Sequence, residues 1–178
     1  MLGRILSALL VVSCLFATGA GQAASNAEID AKATEALKKF YQHSSAGKAL
    51  YQQAKGALIF PEVYKAGIGI GGEYGEGKLI EHGRTTGYYS IAAASIGFQL
   101  GAQIKTEIIL FMTDAALRSF KNSEGWEAGV DGSVALVTIG AGGEIDTSTI
   151  KDPIIGFIFS NKGLMYNLSL EGSKITKK

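Results

Sequence analysis

Three glycines in the stretch KAGIGIGGEYGEGK, from Lys65 to Lys78, satisfy the spacing G-x-G-x-x-G: Gly67, Gly69 and Gly72. In a dinucleotide-binding fold this spacing brings the backbone against a pyrophosphate and opens a helix whose N-terminus faces it. Here the chain continues as Glu73-Tyr74-Gly75-Glu76-Gly77, and glycine at every other position resists helix formation. Gly67, Gly69 and Gly71 instead fall two apart, on one face of a strand, with Ile68 and Ile70 on the other. The motif therefore predicts a bare strand face against which a crossing strand, a helix or an acyl chain can pack directly.

Other residues with catalytic chemistry are few. The two histidines, His43 and His82, fall at a predicted helix–helix turn and a strand end, where both read as solvated. No H-E-x-x-H, D-x-D, G-x-S-x-G or Cys/His cluster occurs, so the sequence predicts no enzyme, no cofactor and no metal centre. Cys14 is the only cysteine, which rules out an internal disulfide.

The elements that must position any site begin with a leader. Arg4, the apolar run Ile5 to Ala17 and the small residues Gly21-Gln22-Ala23 read as an export signal over residues 1–23. An alternative reading takes Val11-Val12-Ser13-Cys14 as a lipoprotein signal, with Cys14 the acylated N-terminus. Removing residues 1–23 deletes one cation and no anion, leaving 16 of each. A neutral domain argues against nucleic acid and leaves any membrane attraction to a local patch.

Residues 24–44 read as an amphipathic helix. Ser25 and Glu28 have the spacing of a capping box, and Ile29, Ala33, Ala36, Leu37 and Phe40 form one apolar stripe. Ser44 or Ser45 caps a second helix through Ala54, ended by Gly56. From Ala57 the period changes to two, as in Phe98, Leu100, Ala102 and Ile104 and again in Leu164, Tyr166, Leu168 and Leu170. Gly75-Glu76-Gly77 and Asn161-Lys162-Gly163 read as hairpin turns. The continuously apolar EIILFM (107–112) and IIGFIF (154–159) read as central strands, and Thr113 as the cap of a short helix from Asp114 to Phe120. The predicted fold is α+β: N-terminal helices, then a strongly curved antiparallel sheet of about eight strands with one inserted helix.

Three stretches together resemble the SYLF domain family of lipid-binding proteins. They are AKGALIFPEVYKAGIGIGGEYGEG (54–77), YYSIAAASIGFQLGAQ (88–103) and SNKGLMYNLSLEGS (160–173). The resemblance covers about residues 45–173, with residues 174–178 as a basic tail. Its motif positions are Gly67, Gly69, Gly71, Gly72, Gly97, Gln99, Gly101, Lys162, Gly163, Glu171 and Gly172, all read as structural. The resemblance implies a non-enzymatic lipid-binding domain. Eukaryotic relatives bind phosphoinositides, and some bind actin, usually beside an SH3 or FYVE module. This chain, with its export signal and no such module, resembles the standalone bacterial members.

In those eukaryotic relatives lipid contact is associated with an amphipathic N-terminal segment and basic residues. The counterparts here are Lys32, Lys38, Lys39, Lys48 and Lys55, with Phe40 and Tyr41 as groups that could insert into the acyl boundary; Lys65, within the first family-like stretch, is a further lipid-binding candidate. The competing reading packs the apolar stripe on the sheet and leaves the lysines as a solvated face. The sequence thus predicts a phospholipid-binding or membrane-binding domain of the cell envelope, periplasmic or membrane-associated. An envelope scaffold that binds another protein, with incidental lipid affinity, and a small outer-membrane β-barrel are the alternatives.

Overall fold

The computed structural model describes residues 24–137, 151–160, 163–164, 170 and 172–178, with the backbone alone described at 67–70, 95–102, 160 and 163–164. The signal segment, Cys14, Asn161, Lys162, Glu171 and the alternation from residue 165 to residue 169 therefore lie outside the described residues.

Two helices come first, α1 (Asn26–His43) and α2 (Ser45–Gln53). Ser25 Oγ accepts the Glu28 amide at 3.2 Å, and Ser44 Oγ accepts the Gly47 amide at 2.7 Å. Each hydroxyl satisfies a donor that the first helical turn leaves orphaned. Glu28 does not complete a capping box by reaching back; its carboxylate turns to Lys32 Nζ at 2.7 Å. Gly56 also departs from expectation. The cap of α2 is Ala54 in extended geometry, and Gly56 opens the first strand, where an added Cβ would sit 2.8 Å from Leu117 Cδ1.

The body of the fold is one long hairpin, β1 (Gly56–Glu81) and β2 (Arg84–Phe111), paired antiparallel along its length. Its turn is His82-Gly83, both at positive φ (51° and 76°), not the predicted Gly75-Glu76-Gly77. Those three residues stay extended inside β1, because their glycines serve a different close approach. Beyond the hairpin come α3 (Asp114–Asn122), β3 (Trp126–Glu127), β4 (Ala135–Leu136), β5 (Ile154–Ser160), β6 (Gly163–Leu164) and β7 (Lys174–Lys177). Thr113 Oγ1 accepts the Ala116 amide at 3.2 Å and starts α3 where the sequence places it.

β2 carries β1 on one edge and, on the other, β7 at residues 89–92 and β5 at residues 106–111. β3 adds to β7, and β4 and β6 add to β5. The pairings are antiparallel except β4 with β5, which run parallel, a departure from the all-antiparallel expectation. The fold is thus α+β, with N-terminal helices, a strongly curved sheet and a short inserted helix.

The curvature follows from contacts within β1. Lys65 Nζ lies 3.0 Å from Glu73 Oε1, although eight residues of straight strand span about 26 Å, far beyond the reach of the two side chains. β1 therefore bends sharply between them and crosses itself, so that a Cβ on Gly75 would stand 2.8 Å from Glu62 O and one on Gly77 would collide with Ile59 O. Bulges fall at Phe60/Val63, which contains Pro61, and at Gly67/Gly69. At the bend glycine pairs with glycine: Gly67 opposite Gly101 and Gly69 opposite Gly97.

Folding the hairpin over creates two apolar layers. Leu58, Phe60, Val63, Leu79, Ile109 and Phe111 meet Phe120 of α3 and Trp126 inside the fold. Ile59, Ile108, Leu110, Ile155 and Phe157 on the opposite face meet Ala33, Ala36 and Phe40 of α1 and Leu50 of α2. This explains why EIILF lacks alternation, since both of its faces are buried under protein. It also leaves these strands no lipid-facing apolar band of the kind a membrane barrel requires.

Candidate functional site

The predicted basic and aromatic residues separate into three groups. Phe40 leaves the surface altogether. It is 1% exposed, with its ring 4.8 Å from that of Phe157 and 5.9 Å from that of Phe159, so it anchors α1 to the sheet and is corrected from an insertion group to a core residue.

A second group is neutralised by acids. Lys32 Nζ is held by Glu28 at 2.7 Å and by Glu62 at 2.8 Å. Hydrogen bonds that it donates to Glu28 and Glu62 push its ammonium pKa well above the ordinary lysine range. Lys39 lies on the same side of α1, within electrostatic reach of Glu62. Lys65 is half-buried against Glu73.

The third group comes together. Lys38, Tyr41 and Leu37 of α1 line an open groove of about 480 Å³, closed on its far side by Lys78 and Ile80 of β1. Ile80 is shared with an adjoining recess of about 240 Å³ whose lining includes Tyr51, Lys55 and His82. Lys48 and Tyr51, three residues apart, share one side of α2, and Lys55 follows its extended Ala54 cap. Lys48 Nζ stands 5.8 Å from the centre of the Tyr41 ring, and the Tyr41 and Tyr51 rings meet edge to face at 5.5 Å. Burial, helped by the neighbouring Tyr51, pushes the Tyr41 phenol well above the ordinary tyrosine range, so it stays neutral. Burial likewise raises the Tyr51 phenol.

The electrostatics of this strip are one-sided. Among the described residues no acidic side chain lines the groove or the recess, and Lys38, Lys48 and Lys55 have no acidic partner. Lys78 is the exception, since its Nζ pairs with Asp30 Oδ1 at 2.9 Å and leaves mainly its aliphatic stem to the wall. Asp30 also accepts Tyr88 OH at 3.0 Å, and its pKa is lowered chiefly by Lys78. Sequence reasoning missed Tyr51, Lys78 and Ile80. The first was legible as the middle of a Lys48–Tyr51–Lys55 stripe; the other two depend on which end of β1 meets α1.

A separate polar cluster also escaped the sequence reading. Lys105 Nζ sits 2.5 Å from Glu73 Oε2 and 2.8 Å from Glu107 Oε1, and the Glu107 side chain is 1% exposed. Neither Glu107 oxygen has a partner in hydrogen-bond geometry. Burial raises the Glu107 pKa more than Lys105 lowers it. Burial disfavours charge on Lys105 too, but Glu107 and Glu73 outweigh it and raise its pKa. Burial would raise Glu73 as well, but Lys105 and Lys65 draw it below the ordinary range. The signal was period-two placement of Lys105 and Glu107 with Ile109 and Phe111 on the core face. Among the described residues no cluster of three or more His, Cys, Asp or Glu is placed to hold a metal. No described helix is long and apolar enough to cross a membrane.

Residues 92–178 match the family model described as Ysc84, Las17-binding protein actin regulator. This stretch is similar to the SYLF (Ysc84) family, the family that the three motifs resemble. No curated protein matches the chain. The matched part runs from within β2 to the end of β7 and contains Gly97, Gln99, Gly101, Gly163 and Gly172. Gly172 takes a positive φ of 75° with nothing near an added Cβ, so its backbone conformation, not space, requires glycine there. The groove residues on α1, α2 and β1 precede the matched part.

Proposed function

We propose that this SYLF-like domain is a non-enzymatic module that binds anionic phospholipid at a membrane surface of the cell envelope. The observation that carries the reading is the groove between α1 and the turn end of β1, which combines Leu37, Tyr41 and Ile80 with lysines and, among the described residues, no acid. Leu37, Tyr41 and Ile80 supply a wall for acyl or glycerol carbons, while Lys38 on the groove, Lys55 on the recess and Lys48 beside the Tyr41 ring supply ammonium groups for phosphate. Tyr41 and Tyr51, neutral and amphipathic, suit the headgroup level. The export signal read from residues 1–23 supports an envelope location.

The family description names protein partners, Las17 and the actin system. On this chain the cation-only rim favours a lipid phosphate over a protein surface of mixed charge. Co-sedimentation with vesicles tests the reading. Pelleting with phosphatidylglycerol vesicles and little with phosphatidylcholine vesicles is the expected result; equal, negligible pelleting with both refutes it.

A further inference from the structure

The leader boundary read from Gly21-Gln22-Ala23 makes Ala24 the first residue of the exported chain, and the structure places the Ala24 nitrogen in an unusual position. It lies 2.6 Å from Glu76 Oε2, across 52 residues of sequence. Glu76 is only 9% exposed, and its other oxygen accepts Lys178 Nζ at 2.6 Å and Tyr74 OH at 3.1 Å. A buried carboxylate on the interior of β1 is thus aimed at the one backbone nitrogen that leader removal would turn into a cation. Beside it is a cleft of about 260 Å³ whose walls include Ala24, Pro61, Tyr64, Tyr74 and Gly75.

We propose that Glu76 and this cleft form an acceptor for a primary ammonium, and that its ligand is the chain's own N-terminus, released by cleavage between Ala23 and Ala24. Hydrolysis of that peptide bond by the export peptidase consumes one water, leaving a carboxylate on Ala23 and, after protonation, an ammonium on Ala24. Where the uncleaved amide offers Glu76 a single N–H, the ammonium offers three donors and a full charge, and charge-assisted hydrogen bonds are the stronger kind. Seating Ala24 on Glu76 fixes the residue that precedes the Ser25 cap, and so sets the angle at which α1 leaves the sheet. Processing therefore locks α1, and with it the Lys38 and Tyr41 wall of the groove, onto the hairpin. The other charged groups facing the cleft are Glu28 and Lys32 from α1 and Glu62 from β1. Lys32 bridges both of these carboxylates and Tyr64 OH donates to Glu62, whereas Glu76 Oε2 is the oxygen that the Ala24 nitrogen meets.

The inference rests on the leader boundary and not on lipid binding, so the two fail separately. The test uses the processed protein purified from the envelope of an exporting host. Intact mass is expected to give a chain beginning at Ala24 with a free amine; a chain beginning at an acylated Cys14, or anywhere else, overturns the proposal. Reductive methylation with labelled formaldehyde then lets NMR follow the terminal amine with pH. In the folded protein it is expected to titrate above the roughly 8 of an unperturbed terminus, and to return there in urea. An ordinary value in the folded protein overturns the proposal without any variant that must fold. A Gly-Ser extension before Ala24 is expected to lower the thermal midpoint in the wild type and to leave it unchanged in Glu76→Gln. Equal shifts in both backgrounds also overturn it.

Discussion

Gly77→Ala tests the self-crossing of β1. A Cβ at residue 77 would collide with the carbonyl oxygen of Ile59 and stand 2.6 Å from Phe60 Cδ1. Ile59 is fully buried and paired to Ile108 in the ladder, so its carbonyl cannot retreat without moving both strands. Overpacking of this kind costs about 3 kcal/mol, the upper end of its range, because backbone and not a flexible side chain must yield. Gly72, five residues earlier in the same strand, provides the control. An added Cβ there meets only Ala93 O at 3.6 Å, an ordinary contact, so Gly72→Ala is expected to be neutral or to stabilise by up to about 1 kcal/mol through the unfolded chain. Trp126, the single tryptophan, is 1% exposed in the inner core and reports unfolding by its emission. With a urea slope of about 2 kcal/mol per molar, Gly77→Ala should move the midpoint down by about 1.5 M while Gly72→Ala holds or rises. A Gly77→Ala midpoint within 0.3 M of wild type (about 0.6 kcal/mol at that slope), or equal losses at both positions, would refute the crossing.

Other expectations concern charge. Lys105→Met leaves Glu73 and the buried Glu107 without their shared cation and should cost about 3–5 kcal/mol at neutral pH. The loss should deepen as pH rises above the ordinary glutamate range, since the unfolded carboxylates then ionise and the buried ones resist; adding Glu107→Gln should recover part of it. Urea midpoints across pH check both statements. For Asp30, whose folded pKa is lowered by Lys78, the stabilisation is present above the unfolded value of 3.8 and is lost as pH falls through the folded one. Asp30→Asn should therefore flatten the acid limb of the stability curve, by no more than about 1 kcal/mol because Asp30 is substantially exposed.

The sequence made the helix starts and the central strands legible because local signals decide them. Ser25, Ser44 and Thr113 cap helices by contacts within three residues, and both apolar strands are too continuous to face solvent. The hairpin turn was misplaced because Gly75-Glu76-Gly77 and His82-Gly83 compete as turn signals. Only the long-range crossing shows that the former glycines are needed for close approach and the latter pair for positive φ. Phe40 is both the end of the apolar stripe and a neighbour of the exposed Lys38, so the sequence leaves packing and insertion open; the structure decides for packing, one turn of α1 on from the buried Ala36. The division of lysines into paired and free could not be read locally either. Lys32 is neutralised partly by Glu62, thirty residues away, whereas Lys38, with much the same local sequence, meets no acid.

The central claim is that the cation-only groove, and not net charge, holds the membrane. The decisive measurement is the partition coefficient onto phosphatidylglycerol vesicles of Lys38→Gln/Lys48→Gln/Lys55→Gln beside Lys151→Gln/Lys174→Gln/Lys177→Gln. The second triple removes the same charge from exposed lysines outside the groove. At about 1 kcal/mol per basic residue near an anionic surface, the groove triple should lose about 3 kcal/mol, roughly 150-fold in partitioning, and the second triple several-fold at most. Equal losses from the two triples, or none from either, would contradict the account.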